Sequence, residues 1–128
     1  MSPQDLDDWL GRAADGYGTP SYVYFADCIA QRIDALRRAF KGRFTLSYAV
    51  KCNPNPALLT WLSGHVDLLD VSSIGEFNLA VAAGWNPVLI SFTGPAKRDF
   101  EIGEAIRGDV GLLVVESLRE ARLANAVA

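Results

Sequence analysis

From residue 45 onward the chain repeats itself, and the repeat limits what it can become. TLSYAVK (45–51) is β-branched and aromatic and reads as a strand, and NPNPALLTWLS follows as a helix with Asn55 as cap and Pro56 in its first turn. VDLLDVSS reads as a second strand, and IGEFNLAVAAG as a helix ending at Gly84. PVLISFTG is a third strand, and PAKRDFEIGEAIRG a helix ending near Gly108. VGLLVVES is a fourth strand, and SLREARLANAVA opens a last helix. The strands start near 45, 66, 87 and 111, one strand and one helix every 21 to 24 residues. Such alternation with short connections demands a parallel sheet covered by helices. Two architectures satisfy it: an open doubly wound sheet, or about four units of an eightfold β/α barrel. No glycine-rich nucleotide fingerprint follows the first of these strands, so the usual dinucleotide-binding marker is missing.

The first 43 residues break the rhythm. Ser2 as cap, Pro3 at the first helical position and Asp5 predict a short helix, with Leu6, Trp9, Leu10 and Ala13 as its apolar stripe. GYGTP (16–20) predicts a loop and SYVYF (21–25) a short strand. An amphipathic helix is expected from Asp27, as N-cap, to Phe40. Its buried face is Ile29, Ile33, Leu36 and Phe40; Arg32, Arg37, Arg38 and Lys41 take the wet side.

A net charge of -3 offers no general attraction to nucleic acid or to an anionic membrane. The N-terminus carries acids where a secretory signal would carry bases, and the apolar runs are too short for a membrane span. Two cysteines and one histidine, far apart, make neither a disulfide framework nor a metal-ligand cluster. These features predict a cytoplasmic protein with no metal, nucleic-acid or membrane partner.

In both architectures chemistry collects at the C-terminal ends of the strands, here Lys51, Asp70 with Ser72, Thr93 with Gly94, and Glu116 with Ser117. Alternation on the first strand puts Ser47, Ala49 and Lys51 on one face and Leu46, Tyr48 and Val50 on the other. In a barrel Lys51 would then stand in the mouth, partly desolvated, its amine freed for Schiff-base chemistry. The plainer alternative is a strand-end lysine that reaches solvent. Asp70 could balance that lysine's charge or orient a ligand hydroxyl, or merely cap the next helix. Ser73-x-x-Glu76 is a capping box, which can be the whole role of Glu76, and Ser117-x-x-Glu120 is a second, read as structural. Lys97 and Arg98 could meet an anionic substrate, although first-turn bases are more often solvated. Cys52 is expected to be a small buried hydrophobe, and His65 a surface residue at the far end of the sheet.

The string YAVKCNPN (48–55) resembles the lysine motif of the fold-type III pyridoxal-phosphate (PLP) decarboxylases, the group that acts on diaminopimelate, ornithine and arginine. TPSYVYF (19–25) resembles the strand that precedes the family's barrel. DVSSIGEFNLAVAAG (70–84), SFTGPAKRDFEI (91–102) and VVESLREA (114–121) are similar to its next three strand-and-turn motifs. Glu116 stands where the family more often has Asp. The matches run in order from residue 19 to the end. The resemblance implies a partial β/α barrel over residues 44–128, and over residues 1–43 a helix, a strand joining a separate β-domain, and a leading helix. It implies PLP as cofactor, Lys51 as its Schiff-base lysine, Asp70 beside it and Glu76 in support. The implied reaction is loss of an amino acid's α-carboxylate as CO₂, the pyridinium ring accepting the electron pair.

Diaminopimelate in lysine biosynthesis is the first expectation for substrate, with ornithine, arginine or a carrier-bound amino acid as alternatives. A homologue that only binds PLP or a protein partner is the rival from another class. The resemblance also implies a longer, homodimeric parent carrying the phosphate loop, the acid facing the pyridine nitrogen and the ring-stacking histidine. The 128-residue chain alone is accordingly expected to be inactive.

Overall fold

The computed structural model describes residues 3–128. The chain divides into two compact units, one ending at Ala35 and one spanning Leu36–Ala128. The first contains helix α1 (Pro3–Tyr17) and most of α2 (Ala26–Ala39). The expected cap Ser2 lies outside the described residues. Trp9 and Ala13 of the predicted apolar stripe line a cavity of about 660 Å³ with Tyr17, Val23 and Tyr24.

Two expectations fail in this unit. SYVYF forms no strand, because no other described segment supplies it with a ladder. Asp27 is not the N-cap of α2 but lies in its first turn: the N–H groups of Cys28 and Ile29 both donate to the carbonyl of Phe25, so helical bonding starts earlier.

The second unit keeps the strand–helix rhythm. Its order is β1 (Ser47–Ala49), α3 (Pro56–Leu62), β2 (Leu68–Val71), α4 (Ile74–Ala82), β3 (Ile90–Phe92), α5 (Asp99–Arg107), β4 (Leu112–Leu113) and α6 (Leu118–Val127). The four strands form one parallel sheet in the order β1-β2-β3-β4. Sequential order without a reversal is barrel topology; a doubly wound sheet changes direction at its switch point. The unit is thus a partial β/α barrel.

Side-chain caps set the starts of α3, α4 and α6. Asn55 accepts from the N–H groups of Ala57 (2.9 Å) and Leu58 (3.4 Å), with Pro56 at the first position. Ser73 Oγ accepts from Glu76 N–H at 3.2 Å, and Ser117 Oγ from Glu120 N–H at 3.1 Å. Helix α4 stops because Gly84, at φ +93°, turns left-handed. There the N–H of Gly84 reaches the Val81 carbonyl and that of Trp85 the Ala80 carbonyl, a Schellman closure.

The core lies between sheet and helices. Val50, Leu69, Val71, Ile90 and Phe92 are fully buried on the sheet side, and Leu59, Leu62, Ile102 and Ala105 meet them from the helices. Trp85 joins them and donates its indole N–H to the Leu59 carbonyl at 2.8 Å. Leu69 and Val71 alternate with Leu68 and Asp70, so Asp70 faces the other side of the sheet. Register places Ala49, Asp70 and Ser91 in one row across it.

Candidate active site

The C-terminal ends of the strands hold the residues singled out by sequence. Val50–Cys52 form a short 3₁₀ turn that ends β1, and Lys51 sits on it. The expected strand over 45–51 is therefore shorter, and its alternation stops at Ala49. Val50 plugs the core at 0% exposure, while Lys51 is exposed. The partial desolvation expected of Lys51 in a barrel mouth is not seen among the four strands described, where its side chain is exposed. Cys52 is likewise exposed instead of buried, since the 3₁₀ turn carries it off the helix-facing side.

The chain has three lysines, Lys41, Lys51 and Lys97. Lys41 stands at positive φ in the turn after α2. Lys51 has no hydrogen-bond or ion-pair partner among the described residues, so its amine is available. Lys97 is the opposite case.

Asp70 is the third residue of β2 and pairs with Ala49, two residues before Lys51. The lysine turn and the carboxylate thus share one end of adjacent strands. Asp70 Oδ2 accepts a hydrogen bond from Thr93 Oγ1 at 3.1 Å. Glu76 lies in the first turn of α4, where its Oε2 accepts from Ser72 N–H at 2.7 Å. That bond reaches one residue further back than a capping box would. It pins the strand-to-helix turn that follows Asp70.

The same device recurs at α6. Glu120 Oε2 accepts from Glu116 N–H at 2.9 Å and also meets Lys97 Nζ at 3.2 Å. Lys97 (5% exposed) and Glu120 (4%) form a buried ion pair, and Lys97 Nζ also donates to the Gly94 carbonyl at 2.5 Å. Lys97 is therefore no solvated base and no free anion hook. Glu120 is also more than a cap, since it ties α6 to the turn after β3.

Glu101, at the third position of α5, accepts from the N–H of Arg98 at 3.1 Å and from that of Ile74, at the head of α4, at 3.2 Å. Sequence reasoning gave Glu101 no role. The visible signal was a glutamate at the third position of three successive helices, residues 76, 101 and 120.

Electrostatics follow from these contacts. Burial pushes the Glu101 carboxyl up, but hydrogen bonds from the Arg98 backbone and guanidinium and from Ile74 outweigh it and leave it below the usual glutamate range. The Glu116 N–H, then Lys97, hold Glu120 down against its burial. At the opposite end of the sheet, the Leu46 N–H and the Arg37 guanidinium lower Asp67. His65, also at that end, is half-buried and stacks on Trp61 at 3.6 Å.

Among the described residues no three His, Cys, Asp or Glu side chains group as a metal site, and no helix is long and apolar enough to cross a membrane. None of Lys51, Asp70 and Glu76 lines the cavity of the first unit.

Comparison with known proteins agrees with this geometry. Residues 26–128 match the model of the pyridoxal-dependent decarboxylase family, pyridoxal binding domain. A diaminopimelate decarboxylase of Helicobacter pylori (strain J99) is 39% identical over 113 residues, covering 88% of this chain and 28% of that protein. One from Aquifex aeolicus is 36% identical over 119 residues, covering 93% of this chain and 28% of its own length. The chain thus spans little more than a quarter of these curated relatives.

Among solved structures, the Helicobacter pylori diaminopimelate decarboxylase complexed with L-lysine aligns at a TM-score of 0.81 and 35% identity. The alignment covers 92% of this chain and 30% of that one. The Vibrio vulnificus lysine/ornithine decarboxylase complexed with cadaverine reaches 0.86 at 28% identity, covering 98% and 34%.

Proposed function

The chain belongs to the pyridoxal-dependent decarboxylases, through their pyridoxal binding domain, and from that premise we propose that it serves a PLP-dependent amino-acid decarboxylase of the diaminopimelate type, in lysine biosynthesis. One observation carries the reading. Of three lysines, Lys51 alone sits at the C-terminal end of a sheet strand with its amine uncommitted, inside the matched residues. An amine must be free of ion pairs to attack an aldehyde, and Lys97 is not.

The site residues divide the work. Lys51 is the covalent anchor for the cofactor's aldehyde carbon. Asp70, steadied by Thr93, stands at the same strand ends and orients the cofactor's polar edge. Glu76 keeps the turn between Asp70 and α4 closed by holding the Ser72 N–H. PLP supplies, when bound, the electron sink for the pair released as the α-carboxylate departs.

Residues 44–128 supply the first part of the barrel, and residues 1–43 the leading segment toward a β-domain. The whole protein is a homodimer in this reading, a state that rests on family resemblance. The two free cysteines suit a reducing cytoplasm.

Ornithine or lysine is the second reading for substrate, favoured by the higher TM-score of the Vibrio vulnificus enzyme. The deciding assay measures CO₂ release from diaminopimelate, ornithine, lysine and arginine by the polypeptide at the full length of its relatives, with PLP. Turnover of diaminopimelate above the others is expected. Preference for ornithine or lysine would establish the second reading, and no turnover of any would refute both.

A further inference from the structure

We propose that Thr93 is the positioning residue for Asp70, an inference that rests on the reading of Asp70 as a cofactor-facing group. Among the described residues, only one oxygen of the Asp70 carboxylate is engaged. Oδ2 accepts from Thr93 Oγ1 at 3.1 Å, and Oδ1 has no partner among the described residues. Its row neighbours, Ala49 and Ser91, make no hydrogen bond to it. A half-buried carboxylate held by one oxygen keeps the other free for a ligand, but its direction then depends on that single bond.

Thr93 is suited to supply the bond. It follows β3 directly, and its N–H donates to the Val71 carbonyl at 2.9 Å, so its backbone is registered to the strand that carries Asp70. A β-branched side chain is stiff at χ1, which fixes the direction of its hydroxyl better than serine would. The turn behind it is locked as well. Gly94 sits at φ +110°, and the buried Lys97 amine bridges the Gly94 carbonyl to Glu120 on α6. The hydroxyl is therefore presented from a fixed frame.

The test compares T93V, which keeps the shape and deletes the hydroxyl, with T93S, which keeps the hydroxyl. Asp70 χ1 is read from three-bond couplings between its Cγ and the backbone N and carbonyl carbon. PLP affinity is read by absorbance titration, and a thermal melt controls for folding. The expectation is one Asp70 rotamer in the parent and in T93S. In T93V the couplings fall to averaged values, and the PLP dissociation constant rises roughly tenfold, the loss of one hydrogen bond to a charged group. A single unchanged rotamer in a folded T93V overturns the inference. If the parent itself does not bind PLP, the functional reading fails, while the couplings still decide whether Thr93 holds Asp70.

Discussion

Gly111 offers a sharp test of the sheet's construction, because the chain there leaves no room for a side chain. A Cβ built on Gly111 would lie 1.9 Å from the Val88 carbonyl oxygen and 2.5 Å from its carbonyl carbon. Those atoms are backbone, so they cannot swing aside. The segment leading into β4 would have to retreat by roughly 1 Å to reach a tolerable contact. Gly111 N–H donates to the Pro87 carbonyl at 3.0 Å, the rung just ahead of the β3–β4 register. The retreat stretches that rung.

Overpacking strain of about 1–3 kcal/mol plus a backbone bond of about 1 kcal/mol gives roughly 2–4 kcal/mol for Gly111→Ala. Against a total of about 5–15 kcal/mol that is a large fraction. Urea unfolding followed by circular dichroism should show the midpoint falling by at least about 1 M. Gly75→Ala is the control. Its Cβ meets only Ser73 Oγ at 3.8 Å, and inside a helix alanine gains up to about 1 kcal/mol over glycine. Equal midpoints for Gly111→Ala and the parent would refute the close approach of the two segments.

Glu101 is depressed, so the stability it supplies is complete above the ordinary glutamate value of 4.5 and is lost as pH falls through its lower folded value. Glu101→Gln should therefore flatten the acid side of the stability–pH curve, measured by urea midpoints from neutral pH downward. Asp67→Asn should do the same below the ordinary value of 3.8, through the lost Leu46 and Arg37 contacts, and without touching PLP labelling. Among the described residues, strands β1 and β4 are each paired on one side only, and open edges recruit other chains. The 128-residue chain should self-associate by light scattering; a stable monomer with a cooperative melt would contradict this.

Much of the second unit was legible in the sequence because its signals are local. The caps Asn55 and Ser73 act within four residues, and strand positions near 45, 66, 87 and 111 lie within three residues of the observed starts at 47, 68, 90 and 112. The misses depend on partners or on local geometry that residue type does not encode. SYVYF has the composition of a strand but no ladder partner among the described residues. Lys97 looked like a solvated base because Glu120, which neutralises it, lies a whole strand and helix further on. Alternation put Cys52 inside, and a three-residue 3₁₀ turn brought it out, while Lys51 kept its place at the end of β1. Asp70 was placed at the right strand end, but its Thr93 partner was not foreseen, since that pairing crosses strands.

The central claim is that Lys51 is the amine that holds the cofactor. The protein mixed with PLP, reduced with borohydride and mapped by peptide mass spectrometry tests it most directly. The account predicts a pyridoxyl adduct on Lys51 and not on Lys41 or Lys97. Labelling spread over Lys41 and Lys51 alike, or absent from Lys51, would contradict it.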